Sequence, residues 1–325
     1  MKKRTIIITG VCGCIGSHLL DELLARGEKV VGIDDLSYGK LKNIHGHLKN
    51  KNFKFYKLNI LSASSLNKMI KRADIILHTA SVKKVSEGQP AGPTLIVNTL
   101  GTVHVLELAK KLRSKVVIFS TSDVYGTSTK LPFKEDGDCV IGASSAKRWA
   151  YAVSKLFSEQ IALSYYKDQG VPVVVMRYFG VFSERSSTGW SGGPIPSFVE
   201  AILKGEPVTI HGDGSQTRSM GHVYDTVRAT LLAMDNSKAV GEIINIGNDE
   251  ETSILETAKI IHQLSGVKTP LRINFVPLKK IFGTYREIKR RVPDLAKAKK
   301  ILNYTPQVSY REGLKRIIDH YKSLL

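Results

Sequence analysis

A glycine-rich turn near the N-terminus constrains the fold of this chain more than any other feature of its sequence. The β-branched run Thr5–Thr9 leads into Gly10-Val11-Cys12-Gly13-Cys14-Ile15-Gly16, and leucines at helical spacing follow. Glycines at this spacing between a strand and a helix permit a tight turn and let the backbone approach a pyrophosphate, which the amides of the helix N-terminus attract. We therefore assign to a dinucleotide site Gly10, Gly13, Cys14, Ile15 and Gly16.

Strand and helix patterns alternate through the first 180 residues. Apolar runs at 29–33, 53–58, 75–78 and 115–120 read as strands, and residues 98–112 read as a helix. This alternation predicts an α/β fold, a Rossmann doubly wound parallel sheet covered on both faces. Beyond residue 180, Gly and Pro separate shorter elements, including strands at 208–210 and 242–246. We predict a dinucleotide-binding domain with the catalytic helix at 1–180 and a smaller C-terminal lobe, mainly substrate-binding, at 181–325.

The composition limits the kinds of partner that this chain can have. The 325 residues include 48 Lys and Arg against 29 Asp and Glu, a formal net charge of +19, which favours acidic partners. The basic residues are scattered and not interleaved with aromatics, so we expect a phosphate-bearing small molecule and no nucleic acid. Three cysteines without C-x-x-C pairing indicate a reducing cytoplasm and no metal. No apolar stretch approaches the roughly 18 residues of a membrane span.

An acidic residue follows the second predicted strand. Asp34 comes about 20 residues after the glycine turn, where a carboxylate can accept hydrogen bonds from both hydroxyls of an adenosine ribose. This position favours NAD over NADP. The alternative is that Asp34 and Asp35 simply begin a solvated loop, because Asp is common in such turns. The side chains of Cys12 and Cys14 are interpreted as small apolar packing groups.

Candidate catalytic residues lie in two short segments. Tyr151 and Lys155 are four residues apart, hence on one helix face, where the cation is expected to lower the phenol pKa from about 10 so that Tyr151 can act as a base. A packed ring beside a solvated charge is the alternative. Thr121, Ser122 and Asp123 follow a predicted strand, at the sheet edge where α/β proteins bind ligands. A hydroxyl there can orient a substrate alcohol.

In combination these motifs resemble the extended short-chain dehydrogenase/reductase family, which includes the NDP-sugar epimerases, dehydratases and decarboxylases. Further matches are Asp34-Asp35-Leu36-Ser37, Asn98-x-x-Gly101-Thr102 and the Ser-Thr-x-x-Val-Tyr-Gly segment that ends at Gly126. The resemblance implies NAD as cofactor, Thr121 as a hydrogen-bonding partner of the sugar, Tyr151 as the base and Lys155 as its electrostatic partner. It also implies cofactor contacts at Asp34, Asp35, Ser37, Asn59, Ile60, Ala80, Lys83 and Asn98.

The second lobe carries motifs that resemble the substrate end of this family. Gly212-Asp213-Gly214-Ser215-Gln216-Thr217-Arg218 is similar to a G-D-G-x-Q-x-R segment, and Arg291-Val292-Pro293-Asp294 is similar to R-x-P-D. The resemblance implies that Arg218 and Arg291 bind the nucleotide diphosphate and that Asp294 lies near its ribose. Trp190 is expected either to stack on the sugar or to pack in the core.

Two positions depart from the family pattern. Gly180 replaces the Asn of an R-x-F-N segment that contacts substrate phosphates, so that contact is lost or supplied elsewhere. Met220-Gly221 replaces the start of the usual F-x-Y/H-V-x-D segment.

The resemblance implies a shared first step, oxidation of a UDP-sugar at C4, and several possible second steps. Dehydratases have Thr-Asp-Glu where this chain has Thr121-Ser122-Asp123, so the missing acid at Ser122 disfavours dehydration. UDP-glucuronate decarboxylases often have Thr-Ser-Glu, from which Asp123 differs by one methylene. We expect a UDP-sugar 4-epimerase first and a UDP-glucuronate decarboxylase second. Another NDP-sugar dehydratase or reductase and a non-catalytic NAD-binding regulator are further alternatives. The family also implies a homodimer, through a four-helix bundle formed by residues 98–112 and 151–166.

Overall fold

A seven-stranded parallel sheet lies at the centre of this protein, in a computed structural model that describes residues 3–83, 89–187, 193–282 and 287–324. The strands are β1 (Thr5–Thr9), β2 (Lys29–Asp34), β3 (Phe53–Lys57), β4 (Ile75–His78), β5 (Lys115–Thr121), β6 (Val173–Tyr178), β7 (Val181–Phe182), β8 (Val208–His211), β9 (Thr217–Arg218), β10 (Gly221–His222), β11 (Ile243–Ile246), β12 (Thr252–Ser253), β13 (Ile273–Val276) and β14 (Arg290–Arg291). The helices are α1 (Cys14–Ala25), α2 (Ala63–Met69), α3 (Gly92–Leu112), α4 (Ala150–Gln169), α5 (Pro194–Leu203), α6 (Val223–Asp235), α7 (Ile254–Ser265), α8 (Leu278–Phe282), α9 (Ala296–Leu302) and α10 (Tyr310–Lys322).

The strand order places a ligand crevice beside β1. The central sheet runs β11-β6-β5-β4-β1-β2-β3, and all of its neighbouring strands are parallel. The chain progresses from β1 through β2 to β3 on one side and then crosses to β4 on the other, so the order reverses at β1. Open α/β sheets bind ligands at the carboxyl ends of the strands at such a point. The predicted Rossmann fold is confirmed.

The sequence of β1 shows why the sheet is covered on both faces. Alternate residues of a strand point to opposite faces, and Ile6, Ile7 and Ile8 are all fully buried. Ile6 and Ile8 belong to a core cluster with Leu19 of α1, whereas Ile7 belongs to a second cluster with Leu106 of α3. A continuous apolar run without polar alternation therefore marks a strand that lies between two helical layers.

One strand that the sequence analysis assigned to the second lobe belongs to the central sheet. β11, predicted at 242–246, pairs in parallel with β6, with Ile244 opposite Met176. Ile244 and Ile246 are buried in the cluster that also contains residues of α1 and β1. Parallel pairing of distant segments has no local sequence signal, which is why the position of this strand was predicted wrongly. The division of the chain into folding units at residue 180 stays a prediction.

The second lobe packs three helices against a short parallel strand pair. β8 pairs with β13, and α5, α7 and α10 contact one another around a core that includes Phe198, Ile210 and Ile317. This cluster is separate from the two clusters of the central sheet. In the part of the chain that the structure describes, no helix combines the length and the apolar character needed to cross a membrane.

Candidate active site

A cavity of about 680 Å³ lies at the carboxyl ends of the central strands, where the strand order predicts a ligand crevice. Its wall contains almost all of the residues that the sequence assigns to the cofactor: Gly10, Gly13, Cys14, Ile15, Gly16, Asp34, Asp35, Ser37, Asn59, Ile60, Ala80, Lys83, Tyr151 and Lys155. The catalytic candidates Thr121, Ser122 and Asp123 line the same cavity. The fold therefore brings the proposed base and the glycine turn to one space.

The glycine turn leaves no room for side chains. A Cβ on Gly16 would lie 2.2 Å from the carbonyl oxygen of Gly10, and a Cβ on Gly10, which has a φ of +74°, would lie 2.8 Å from Cα of Ala80. The turn passes directly into α1, whose first amide groups have no acceptors within the helix. A bare backbone at a helix N-terminus is the chemistry that binds a pyrophosphate, so these residues fit a dinucleotide.

Asp34 accepts a hydrogen bond from the backbone of the glycine turn. Its Oδ2 accepts a hydrogen bond from the amide of Cys12 at 2.9 Å, and its Oδ1 accepts one from the amide of Leu36 at 2.9 Å. Burial raises the pKa of Asp34, and the two backbone amides partly offset that effect. Because only 8% of Asp34 is exposed, it does not simply begin a solvated loop.

Asp35 lines the cofactor cavity, whereas Asn98 does not. Asp35 accepts hydrogen bonds from the amide of Ser37 and the side-chain amide of Asn59, 2.9 and 2.8 Å away. Asn98 is outside the wall of the described cavities; it accepts from the amide of Val82 and donates to the carbonyl of Val82 and to Oγ of Ser154. Asn98 thus links the segment that carries Lys83 to α4, and its contact with the cofactor stays a prediction.

The structure contradicts the predicted effect of Lys155 on Tyr151. Burial and the charge of Asp123 raise the pKa of Tyr151, against a smaller opposite effect of a hydrogen bond with Ser81. Nζ of Lys155 donates to the carbonyl of Phe119 at 2.8 Å and lies 5.9 Å from the centroid of the Tyr151 ring. Burial lowers the pKa of Lys155 to about 8, although the charge of Glu159 raises it. The helical spacing was right, but the environment of the phenol depends on tertiary contacts.

Asp123 lies at the centre of a buried cluster of charges. Its Oδ1 accepts from Nη2 of Arg148 at 2.9 Å and pairs with Nη1 of Arg291 at 2.5 Å, and Nζ of Lys83 lies 3.8 Å from its Oδ2. Burial alone would raise the pKa of Asp123, which is 1% exposed, but the three cations hold it well below its usual range. Asp123 is therefore ionised between the guanidinium groups of Arg148 and Arg291, and burial lowers the pKa of Lys83 beside it, although the charge of Asp123 raises that pKa.

This charge cluster is next to the catalytic candidates. Lys83 and Arg291 line both the cofactor cavity and a second cavity, and Nζ of Lys83 lies 5.4 Å from the centroid of the Tyr151 ring. Arg148, which is 6% exposed, was not among the residues predicted from the sequence. Its position three residues before Tyr151 was the available signal, since that spacing puts it at the beginning of the same helical segment.

The second cavity, of about 400 Å³, lies between the central sheet and the second lobe. Ser122, Arg148, Arg218 and Arg291 are in its wall. Nη2 of Arg218 forms an ion pair with Oε1 of Glu287 at 2.6 Å, so this predicted phosphate ligand already has an acidic partner. Arg291 likewise has Asp123 as its partner.

Asp294, another predicted substrate residue, is not in this wall. Oδ1 of Asp294 accepts from the amide of Ala296 at the beginning of α9, and Asp294 lines neither described cavity, so its place near a nucleotide ribose stays a prediction. Trp190 lies outside the described residues. Among the described residues, no group of three or more His, Cys, Asp and Glu side chains could hold a metal ion.

The two departures from the family pattern are in contact with each other. Gly180 lines both cavities, and Met220 lines the second. A Cβ on Gly180 would lie 2.7 Å from Cγ of Met220, and the amide of Gly221 donates to the carbonyl of Gly180 at 2.8 Å. Met220 therefore occupies the space that a larger residue at position 180 would need.

Comparisons with known proteins identify the family of this chain. The sequence model of the NAD dependent epimerase/dehydratase family matches residues 6–247. A UDP-N-acetyl-alpha-D-glucosaminuronate decarboxylase from Bacillus cytotoxicus is 40% identical over 100% of this chain and 99% of its own length. The solved UDP-glucuronic acid 4-epimerase from Bacillus cereus, in complex with UDP-glucuronic acid and NAD, is 30% identical, with a TM-score of 0.87 over 99% of this chain and 100% of its own.

A solved UDP-glucose 4-epimerase from Thermotoga maritima, with UDP-glucose, is 28% identical and has a TM-score of 0.87 over 98% of this chain and 99% of its own. Such similarity extends over both the central sheet and the second lobe. The cofactor of this chain is accordingly NAD, and the residues at the glycine turn fit it. By the match of its sequence and by relatives that span its length, this chain belongs to the NAD-dependent epimerase/dehydratase family.

Proposed function

We propose that this protein is an NAD-dependent decarboxylase of a UDP-linked uronic acid. The observation that carries the proposal is the buried, ionised Asp123 among Lys83, Arg148 and Arg291, beside Tyr151. The sequence alone favoured 4-epimerisation, which needs only an alcohol-binding hydroxyl, a base and a cofactor. Burying a carboxylate and three cations is costly unless they are paired or serve a reaction. We infer that this charge cluster takes part in a second chemical step, after the oxidation at C4.

The first step uses the residues of β5 and α4. The hydroxyl of Thr121 orients the C4 hydroxyl of the sugar, Tyr151 removes its proton, and Lys155 provides positive charge near this end of the cavity. Bound NAD supplies the hydride acceptor. Because the charge of Asp123 raises the pKa of Tyr151, the cations Lys83 and Arg148 are needed to favour the phenolate. The product of this step is a 4-keto sugar.

In a uronic acid the new C4 ketone is β to the C6 carboxylate. The C5–C6 bond can then break, so that CO2 leaves and the electron pair becomes an enolate between C5 and the C4 oxygen. A proton must next be added at C5, and the hydride returns to C4. Asp123 is placed to hold the water or substrate group that delivers this proton, and the cations beside it stabilise the enolate oxygen.

The charge cluster also selects the substrate class. Two guanidinium groups around one carboxylate, with the amino group of Lys83 beside them, leave a positive surplus in a buried place. A substrate carboxylate neutralises part of that surplus, whereas UDP-glucose offers only hydroxyl groups at the same end. The same carboxylate meets the negative charge of Asp123, which destabilises the ground state before CO2 is lost. The 40% identical decarboxylase of a UDP-linked uronic acid is consistent with this chemistry.

The proposal is tested by the products. We expect that purified protein with NAD releases CO2 from UDP-glucuronate or UDP-N-acetylglucosaminuronate and leaves UDP-glucose unchanged, as followed by mass spectrometry and proton NMR. An isobaric C4 epimer of a uronate without CO2 release would contradict decarboxylation and establish a 4-epimerase.

Asp123→Asn separates the two reactions within the same protein. Decarboxylation should fall by about 10²- to 10⁴-fold, because the variant loses the negative charge that holds the proton donor and destabilises the substrate carboxylate, whereas NAD should still bind. Asp138→Asn is the matched control, since Asp138 is an exposed carboxylate paired with Lys130 at 3.0 Å. If Asp123→Asn keeps full turnover, Asp123 is only a polar anchor.

The second candidate is a UDP-sugar 4-epimerase, favoured by the arrangement of Thr121, Tyr151 and Lys155 in one cavity wall. The solved UDP-glucuronic acid 4-epimerase from Bacillus cereus has the same fold. Either reaction requires Tyr151, so Tyr151→Phe should abolish turnover while cofactor binding persists. A non-catalytic NAD-binding regulator would keep its function in that variant.

We also propose that the protein is a homodimer. Ile96 and Leu100 on α3 and Val153 and Phe157 on α4 are between 42% and 50% exposed, and the two helices pack against each other. Four exposed apolar side chains on adjoining helices form one candidate interface. A second copy of the same pair would complete the four-helix bundle that the family resemblance implies.

A further inference from the structure

The loop after β7 forms part of the cofactor cavity, although nothing in the sequence motifs assigns it a role. Arg185, Ser186 and Ser187 of the loop at 183–187 line that cavity together with the glycine turn. The loop lies outside the central sheet, between β7 and α5. It brings a guanidinium to a cavity that already holds the pyrophosphate-binding backbone.

This loop is attached to α1, the helix that begins at the glycine turn. Sγ of Cys14 lies 3.1 Å from Oγ of Ser183, and Nε2 of His18 lies 3.2 Å from the same hydroxyl. Nη2 of Arg185 forms an ion pair with Oδ2 of Asp21 at 2.7 Å. Contacts along the first two turns of α1 therefore fix Arg185 relative to the helix N-terminus.

The guanidinium of Arg185 has an unused hydrogen-bond donor. Its Nη1 is buried and has no hydrogen-bond partner among the described residues. An unsatisfied buried N–H costs about 1–3 kcal/mol, and more when the group is charged. A phosphate oxygen is the acceptor that best suits a guanidinium, because two parallel N–H groups can bind it.

The acidic residues around Arg185 also have other partners. Asp21 is shared with Nε2 of His47, 2.7 Å away. Glu184 pairs with Nε2 of His222 at 3.2 Å, and although its burial acts in the opposite direction, this hydrogen bond helps to lower the pKa of Glu184 to about 2. His18 lies farther from Glu184, at 4.0 Å. The positive charge of Arg185 is thus only partly neutralised by the protein.

We propose that Arg185 is a ligand of the NAD pyrophosphate and that the loop at 183–187 thereby holds the cofactor against the glycine turn. The helix N-terminus supplies partial positive charge, whereas the pyrophosphate carries two full negative charges. Arg185, in the loop after β7, supplies a full positive charge. A reaction that returns its hydride to the same sugar needs a cofactor that stays bound between the two transfers, and this contact retains it.

Arg185→Gln tests the contact by binding rather than by turnover. In calorimetric titrations the variant should bind NAD and ADP-ribose about 10- to 100-fold more weakly, because it loses a charge-assisted pair with the pyrophosphate. Adenosine, which has no pyrophosphate, should bind within about twofold of its affinity for the unchanged protein. Arg311→Gln, which removes an exposed arginine bonded to Gln263, is the matched control and should change none of these affinities.

Asp21→Asn distinguishes a direct contact from loop packing. This variant frees Arg185 from its ion pair, so NAD affinity should be kept or increased if Arg185 binds the pyrophosphate. Weaker NAD binding in Asp21→Asn would show that the ion pair merely holds the loop, and would overturn the proposal. Unchanged NAD affinity in Arg185→Gln, an equal loss for adenosine, or weaker binding of UDP alone would also overturn it. Arg185→Lys, which keeps the charge but not the paired N–H groups, should give an intermediate affinity and serves if Arg185→Gln fails to fold.

Discussion

Glu159 extends the catalytic face of α4 by one further turn. Tyr151, Lys155 and Glu159 recur every four residues and therefore share one side of the helix. Glu159 is 1% exposed, and its Oε2 accepts from Nη2 of Arg177 at 2.7 Å, while Oγ of Ser120 also donates to its carboxylate. Ser120 precedes Thr121, so this one carboxylate connects both segments that carry the catalytic candidates. It also provides the negative charge that raises the pKa of Lys155.

Glu159→Gln should shift the pH dependence of turnover. Lys155 acts as a cation, and its pKa of about 8 means that the active form is lost as the pH rises through that value. Removing the charge of Glu159 lowers the pKa of Lys155 further, so the alkaline limb of kcat should move to lower pH by about one unit. Rates measured from pH 6 to pH 10 would show the shift.

Two control variants accompany this measurement. Glu159→Asp keeps the charge and should restore most of the profile, and Glu107→Gln removes a carboxylate of α3 that lines neither described cavity. Because Arg177 loses its buried partner, Glu159→Gln also costs about 3–5 kcal/mol of folding free energy. A lower melting temperature with an unmoved alkaline limb would mean that Glu159 has a structural role alone.

At the scale of elements, the short strands β7 and β10 join the central sheet to the second lobe. They pair in parallel, with Gly221 opposite Val181, and the residues just before them, Gly180 and Met220, form the contact that replaces the family's Asn. Each departure taken alone looks like the loss of a useful side chain. Together the two departures compensate in volume, because the side chain of Met220 fills the space that Gly180 leaves empty.

A double-mutant cycle tests this exchange. Gly180→Asn should destabilise the protein by about 1–3 kcal/mol, since its Cβ would meet Met220 at 2.7 Å. Met220→Ala should also destabilise it, by leaving a cavity. The double variant should be more stable than the sum of the two effects predicts, by about 0.5–3 kcal/mol in urea denaturation. Additive effects would show that the two positions are independent.

At the scale of the whole molecule, the fold could be predicted from local sequence signals, whereas features that depend on non-local contacts were missed. The passage from β1 through the glycine turn to α1 is contiguous in sequence, so the Rossmann fold and most of the cofactor wall could be predicted. β11 pairs with β6 across some 70 residues of chain, and its sequence resembles any short apolar strand. Arg148 and Arg185 were missed for the same reason. An arginine is identified as part of a site by its partners, here Asp123 and Asp21, which only the folded chain brings near.

The assembly of two copies is the last prediction. Leu100→Glu and Phe157→Glu each put a charge into the apolar face of α3 and α4, and in a two-fold dimer each charge appears twice at the interface. Burying one such apolar side chain is worth about 1.5–3 kcal/mol, so dissociation should become at least about tenfold easier in either variant. Analytical ultracentrifugation across a concentration series would measure it. Phe275→Glu is the matched control, because Phe275 is 49% exposed on β13, which pairs with β8 in the second lobe, and it should leave the assembly unchanged. If the unchanged protein sediments as a monomer at all concentrations, or if all three variants behave alike, the face of α3 and α4 is not the dimer interface.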